Sequence, residues 1–98
     1  MAYSKWVTDN ELVVNIPINL KAIVLSATAA GAATATIYDG INDTGEVVAV
    51  VKALANSTLP MEFYGGVHIS TGIYVELAGN YEGLLVVWDI ADHNEQGG

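Results

Sequence analysis

Turn-forming residues recur about every ten positions along this chain, and that rhythm most restricts what it can fold into. Asp9-Asn10, Gly31, Asp39-Gly40, Asn42-Asp43-Thr44-Gly45, Asn56-Ser57, Gly65-Gly66, Thr71-Gly72, Gly79-Asn80 and Gly83 punctuate short runs rich in Val, Ile, Thr and Tyr. β-Branched and aromatic side chains fit a pleated, half-buried surface, while Gly, Asn and Asp supply the backbone conformations that tight turns need. Short strands at this regular spacing predict a sandwich or barrel. No segment carries apolar residues at i, i+3, i+4 and i+7 between capping residues, so no substantial helix is expected.

The strands follow from alternation. Residues 11–16 form one, stopped by Pro17, which cannot donate to a central ladder. In residues 20–27, Ile23 and Leu25 face one way and Ala22, Val24 and Ser26 the other. In residues 33–38, Thr34, Thr36 and Tyr38 share one face and Ala35 and Ile37 the opposite one. Residues 46–54 are apolar on both faces, as expected of a central strand or one covered by a neighbour. Residues 59–64 contain Pro60 and are expected to be irregular or at an edge. Residues 67–69 and 73–77 read as a hairpin around Ser70-Thr71-Gly72, and 84–90 is a closing, continuously apolar run. Consecutive hairpins imply antiparallel pairing, since parallel strands need long crossovers that are absent. The expected fold is all-β, an antiparallel β-sandwich or jelly roll of about eight short strands. Residues 1–10 are expected to be an extended N-terminal arm, 11–91 a single sandwich domain and 92–98 a polar C-terminal tail.

Composition bears on partners. The chain of 98 residues is 52% hydrophobic but only 14% charged. A domain this small buries roughly two-thirds of its unfolded surface, which leaves apolar material outside for another chain to cover. The formal charge is −8, from eleven acids against three Lys and no Arg. Phosphate neutralisation depends on Lys and Arg, so nucleic acid is not an expected partner, and an anionic membrane is disfavoured for the same reason. Cysteine is absent, which excludes disulfides and cysteine–zinc sites. Residues 1–7 lack the apolar core of a signal peptide and no run approaches a membrane span, so synthesis in the cytosol is expected.

Chemical motifs are scarce, and no enzyme and no cofactor is expected. His68 alternates with apolar neighbours in 66–69 and reads as an outward polar residue or an interface hydrogen bonder rather than a base; His93 lies in the polar tail. No nucleophile elbow, phosphate-binding loop or dinucleotide-binding glycine motif occurs. The carboxylates are scattered, apart from Asp39, Asp43 and Glu46, whose loop could offer calcium hard oxygens. Its spacing departs from an EF-hand, and the simpler reading is a hairpin loop whose Asx residues satisfy their own backbone. Aromatic residues could form a sugar-stacking platform, although the sequence does not bring them together. Trp88, in the apolar closing strand, reads as core or strand-edge packing. Tyr3, Trp6 and Val7, in the arm, are the expected protein-binding contacts, because aromatic anchors dominate interface energetics. The alternative for Trp6 is that it folds back onto its own sandwich.

Three stretches carry a resemblance. Residues 33–40, Ala-Thr-Ala-Thr-Ile-Tyr-Asp-Gly, are followed by Thr44-Gly45-Glu46 and Val47-Val48-Ala49-Val50-Val51-Lys52-Ala53. After Pro60-Met61-Glu62-Phe63 comes the stretch Gly66-Val67-His68-Ile69-Ser70-Thr71-Gly72-Ile73-Tyr74-Val75-Glu76-Leu77, and the chain closes on Leu84-Leu85-Val86-Val87-Trp88. Over roughly residues 20 to 90 this strand-and-turn pattern resembles small β-sandwich virion proteins of tailed bacteriophages, most of all head decoration (cement) proteins. The resemblance implies a non-enzymatic subunit on the outer capsid surface, binding the major capsid protein and copies of itself, as a homotrimer, to bridge neighbouring capsid subunits. A tail, fibre or head–tail joining component, and a carbohydrate- or calcium-binding adhesion module, are the alternatives.

Overall fold

A computed structural model describes residues 2–90. The eight strands are β1 (Ala2–Val7), β2 (Glu11–Val14), β3 (Ile18–Ala27), β4 (Ala33–Asp39), β5 (Glu46–Ala53), β6 (Thr58–Ile69), β7 (Ile73–Gly79) and β8 (Tyr81–Ile90), with no helix among the described residues. The residues expected as a polar tail, 92–98, with His93, lie outside the described residues.

The strands pair antiparallel in two four-stranded sheets, sheet A in the order β1-β8-β3-β6 and sheet B in the order β2-β7-β4-β5. Only β4 and β5 are both consecutive and paired; every other connection passes from one sheet to the other. An eight-stranded double sheet with this order is the jelly roll, two interlocked Greek keys. The alternation read in residues 20–27 and 33–38 is present as described: Ile23, Leu25, Ala35 and Ile37 point into the core, and their neighbours outward.

The core is the space between the sheets. Leu20, Ile23 and Leu25 of β3, with Leu84, Val86 and Trp88 of β8, face Ile37, Val51, Val75 and Leu77 of sheet B. Ala33 and Ala35 on β4 are buried too, and their small side chains leave room for the large ones opposite, so the two inner faces interdigitate. Among the described residues no polar or charged side chain is fully buried. The core needs no polar satisfaction of its own.

Three expectations change. Residues 67–69 and 73–77 do not form a hairpin: β6 belongs to sheet A, whereas β7 pairs with β2 and β4 in sheet B. Ser70-Thr71-Gly72 instead carries the chain across the sandwich, and a Cβ on Gly72 would run into the backbone around Val14 and Asn15. Residues 46–54 do not form a central strand; β5 is an edge, with Val47 and Val50 exposed on it. Finally, residues 2–7 are not detached from the sandwich. They pair along β8 from Ala2–Asp89 to Val7–Leu84 as an edge strand of sheet A.

Because the inner faces are dry and close-packed, Leu25→Ala should lower unfolding free energy by roughly 2–5 kcal/mol. Val50→Ala, on the exposed side of β5, should change it by no more than about 0.5 kcal/mol. Urea denaturation followed by circular dichroism measures both.

Candidate protein-binding face

The strand register places an apolar row across the outside of sheet A. Trp6 pairs with Leu85, Leu85 with Val24, and Val24 with Pro60, so one side chain from each of the four strands lies on a single line. The next row is Ser4, Val87, Ala22 and Glu62. Glu62, at the β6 edge, is the sole charge in the two rows. Cross-strand neighbours this close act as a unit. A charge-depleted apolar centre with a polar rim is also the compositional mark of an interface core.

Trp6 is laid flat on this face by glycine. A Cβ on Gly83 would fall inside the Trp6 indole, so only the bare backbone there lets the ring lie across β8. The ring remains 49% exposed on its outer side. Tyr64 stands at the opposite margin, 92% exposed. It is pushed out by a bulge: Leu20 pairs with Val67 and Ala22 with Glu62, so Phe63, Tyr64, Gly65 and Gly66 all lie opposite Lys21. Gly65 and Gly66 take positive φ (81° and 83°), which a side chain would resist. Two shallow hollows of about 400 and 330 Å³ flank Tyr64, and both are lined by Ala22 and Glu62.

The three residues expected to anchor a partner are brought together on β1 but divided between its faces. Val7 is fully buried in the core, where it can make no intermolecular contact. Tyr3 points to the inner side and stacks on Trp88, with ring centroids 6.1 Å apart. Trp6 alone joins the outer face, through its own sheet. Val24, Leu85 and Val87 were missed as functional candidates. Their signal was present in the closing run, where Leu84, Val86 and Trp88 fill the core and Leu85 and Val87 are left for the outside.

The outer side of sheet B differs in chemistry. Leu12, Tyr74, Tyr38 and Val47 form one row, and Glu76, Thr36 and Val50 the next. The Tyr38 hydroxyl donates to Glu76 Oε1 at 2.7 Å. That hydrogen bond, then partial burial and the nearby carboxylate charge, raise the Tyr38 pKa above the ordinary tyrosine value. The Tyr38 and Tyr74 rings are tilted by 52°, so they make no flat platform for a sugar. The loop between β4 and β5 is bonded within itself and, through Asp39, to the connection between β6 and β7. Both Asp39 carboxylate oxygens accept backbone N–H groups, from Thr71 and Ser70 at 3.0 Å each, and Asn42 Oδ1 accepts from Thr44 N at 2.9 Å. The Asn42–Thr44 contact is an Asx turn within the loop, whereas Asp39 caps the connection between β6 and β7. No group of three or more His, Asp or Glu side chains is placed to hold a metal among the described residues. His68 is exposed on β6, across from Asn19.

Fold and face together define a class: an eight-stranded jelly roll with one charge-depleted, apolar outer face. No protein-family model matches the sequence, and no curated protein matches it.

Two measurements check the site's construction. Gly83→Ala should cost roughly 1–3 kcal/mol, because the methyl must displace the Trp6 ring; in the wild-type protein the Gly83 α-protons should show upfield ring-current shifts that Trp6→Leu abolishes. Glu76→Gln should bring Tyr38 back toward the ordinary tyrosine pKa, read by absorbance titration. Since the folded-state pKa is the raised one, Tyr38's contribution to stability is complete below the unfolded value and lost as pH rises through the folded value.

Proposed function

We propose that this chain is a non-enzymatic structural protein of a tailed-phage virion, a head decoration protein that docks on the outer capsid surface and bridges neighbouring capsid subunits. One observation carries the docking role: the uncharged row Trp6, Leu85, Val24 and Pro60 across sheet A, in a protein of formal charge −8. The phage assignment comes from the strand-and-turn resemblance over roughly residues 20 to 90, and the jelly-roll strand order supports it, since viral capsid proteins use that architecture.

The mechanism is burial. Covering an apolar patch of roughly 800 Å² is worth about 20 kcal/mol gross. Lost translational and rotational freedom offsets much of that gain, and what remains, repeated over many sites, opposes separation of the subunits bridged. An acidic exterior suits the outside of a shell and would be repelled by packaged nucleic acid within it.

Purified protein mixed with capsids lacking it tests the proposal, with occupancy and thermal rupture as readouts. Deleting the first strand would expose β8 and remove Val7 from the core, so point substitutions are the cleaner probes. Val24→Lys and Leu85→Lys place a charge in the row while leaving the core untouched, and each should weaken occupancy by at least about tenfold. Wild-type protein that leaves capsids bare, or lysine variants that decorate them as well as wild type does, would refute the reading.

A further inference from the structure

Glu62 is the one charge in the two central rows of sheet A, and among the described residues the chain offers it no cation. Of the three lysines, Lys5 pairs with Glu11, Lys21 reaches toward Asp89 at 3.9 Å, and Lys52 stands on β5 in the other sheet. Lys21 belongs to sheet A, yet its stem passes over the backbone of Gly66: Lys21 Cδ lies 3.5 Å from where a Cβ on that glycine would stand. Arginine is absent from the chain. A carboxylate standing in water needs no partner. One pressed under a docked protein does, because an uncompensated buried charge is strongly unfavourable.

The surroundings of Glu62 suit an elongated side chain. The larger hollow beside Tyr64, about 400 Å³, is bordered by Ala22, Val24, Pro60 and Tyr64, and Glu62 is the only charged residue on its wall. Apolar walls with a single carboxylate match the stem and head of a basic side chain, which buries its methylenes and keeps its charge at a polar partner. Tyr64 narrows the choice. Its ring is open, held out by the positive-φ pair Gly65-Gly66. A guanidinium stacks on an aromatic face and meets a carboxylate through two parallel N–H···O bonds, whereas an ammonium is a point charge without that flat geometry.

We propose that the hollow between Val24 and Tyr64 receives an arginine side chain from the protein that docks on sheet A, its stem along Ala22, Val24 and Pro60 and its guanidinium on Glu62 and the Tyr64 ring. The inference rests on the reading of sheet A as a docking face and names the chemistry of the partner there. The donor is a different protein, because this chain contains no arginine to offer a second copy of itself. The two contacts divide the work. The apolar row supplies area without direction, and a single charged pair at its β6 end fixes how the partner sits across the four strands. An uncharged or acidic surface pressed on the same rows would leave Glu62 unpaired, so the carboxylate also acts against wrong partners, further copies of this acidic chain among them.

Two measurements on the full chain test it. In the first, NMR follows titration with the peptide acetyl-Gly-Arg-Gly-amide and with its citrulline counterpart, which keeps the shape and loses the charge. The expected result is saturable shifts centred on the Ala22 and Val24 methyls and the Tyr64 ring, weakened at least about fivefold by citrulline or by Glu62→Gln. In the second, capsids lacking the protein are titrated with the variants. Glu62→Gln and Tyr64→Ala should each weaken occupancy by roughly tenfold, and added salt should weaken wild-type binding more steeply than that of Glu62→Gln. Both side chains are exposed, so unchanged urea midpoints confirm that the variants are folded. Peptide shifts indifferent to the arginine charge or to Glu62, or capsids that take Glu62→Gln as readily as wild type, would overturn the proposal. The two ideas separate cleanly. Wild-type protein that leaves capsids bare while the arginine peptide still fills the hollow ends the capsid reading alone; occupancy lost in Leu85→Lys but kept in Glu62→Gln ends this inference alone.

Discussion

Alternate residues of a β-strand point to opposite faces, and in sheet A that rule leaves no room for a fully wet outer side. β8 lies between β1 and β3, and its inner residues Leu84, Val86 and Trp88 are indispensable to the core. The intervening Leu85 and Val87 are then committed to the outside by the pleat alone. β3 does the same with Ile23 and Leu25 inside and Ala22 and Val24 outside. A slip of one residue would exchange the two sets, but it would also bring Lys21, Ser26 and Asp89 toward a core that contains no polar side chain among the described residues. The register that builds the core therefore also builds the apolar outer row.

Much of this was legible in the sequence, and what was not has a common cause. Facing was readable wherever apolar and polar residues alternate, as in β4, where Thr34, Thr36 and Tyr38 stand outside and Ala35 and Ile37 inside. Topology was harder, because a turn signal marks a change of direction without saying which sheet the chain enters next. Ser70-Thr71-Gly72 looks like a hairpin turn in isolation; what sends it across the sandwich is packing of the Gly72 backbone against Val14 and Asn15 and capping of its amides by Asp39, more than thirty residues earlier.

The N-terminal segment was read as an arm for a related reason. On its inner side Lys5 sits between Tyr3 and Val7, which breaks the apolar pattern expected of a strand. At an edge, however, Lys5 can lean over the rim to Glu11, so a charge at an inward position costs little. Strand β5 failed in the opposite direction. Apolar residues on both faces say that both faces want cover, and they do not say whether the cover comes from the same chain. The outer face of sheet A was hidden by that same ambiguity, since the run from Leu84 to Trp88 reads as buried throughout.

Charge is spread unevenly over the outer surfaces of the two sheets. Asp9, Glu11, Asp39, Asp43 and Glu46 lie on sheet B or on the loops, Glu76 stands on the outer side of sheet B, and Glu82 and Asp89 lie towards the two ends of β8 in sheet A. Within the two central rows of sheet A only Glu62 is charged. Repulsion between acidic copies acts over about a Debye length, roughly 8 Å at physiological ionic strength, and so opposes indiscriminate contact. Apolar burial acts only at contact, where two surfaces fit closely enough to exclude water. A small protein with a long-range veto and a short-range attraction can stay dispersed while free and still hold firmly once a matching surface overcomes the repulsion. Two charge-poor central rows on sheet A, bordered there by Lys21, Glu62 and Asp89, are what make those two behaviours compatible in one small jelly roll.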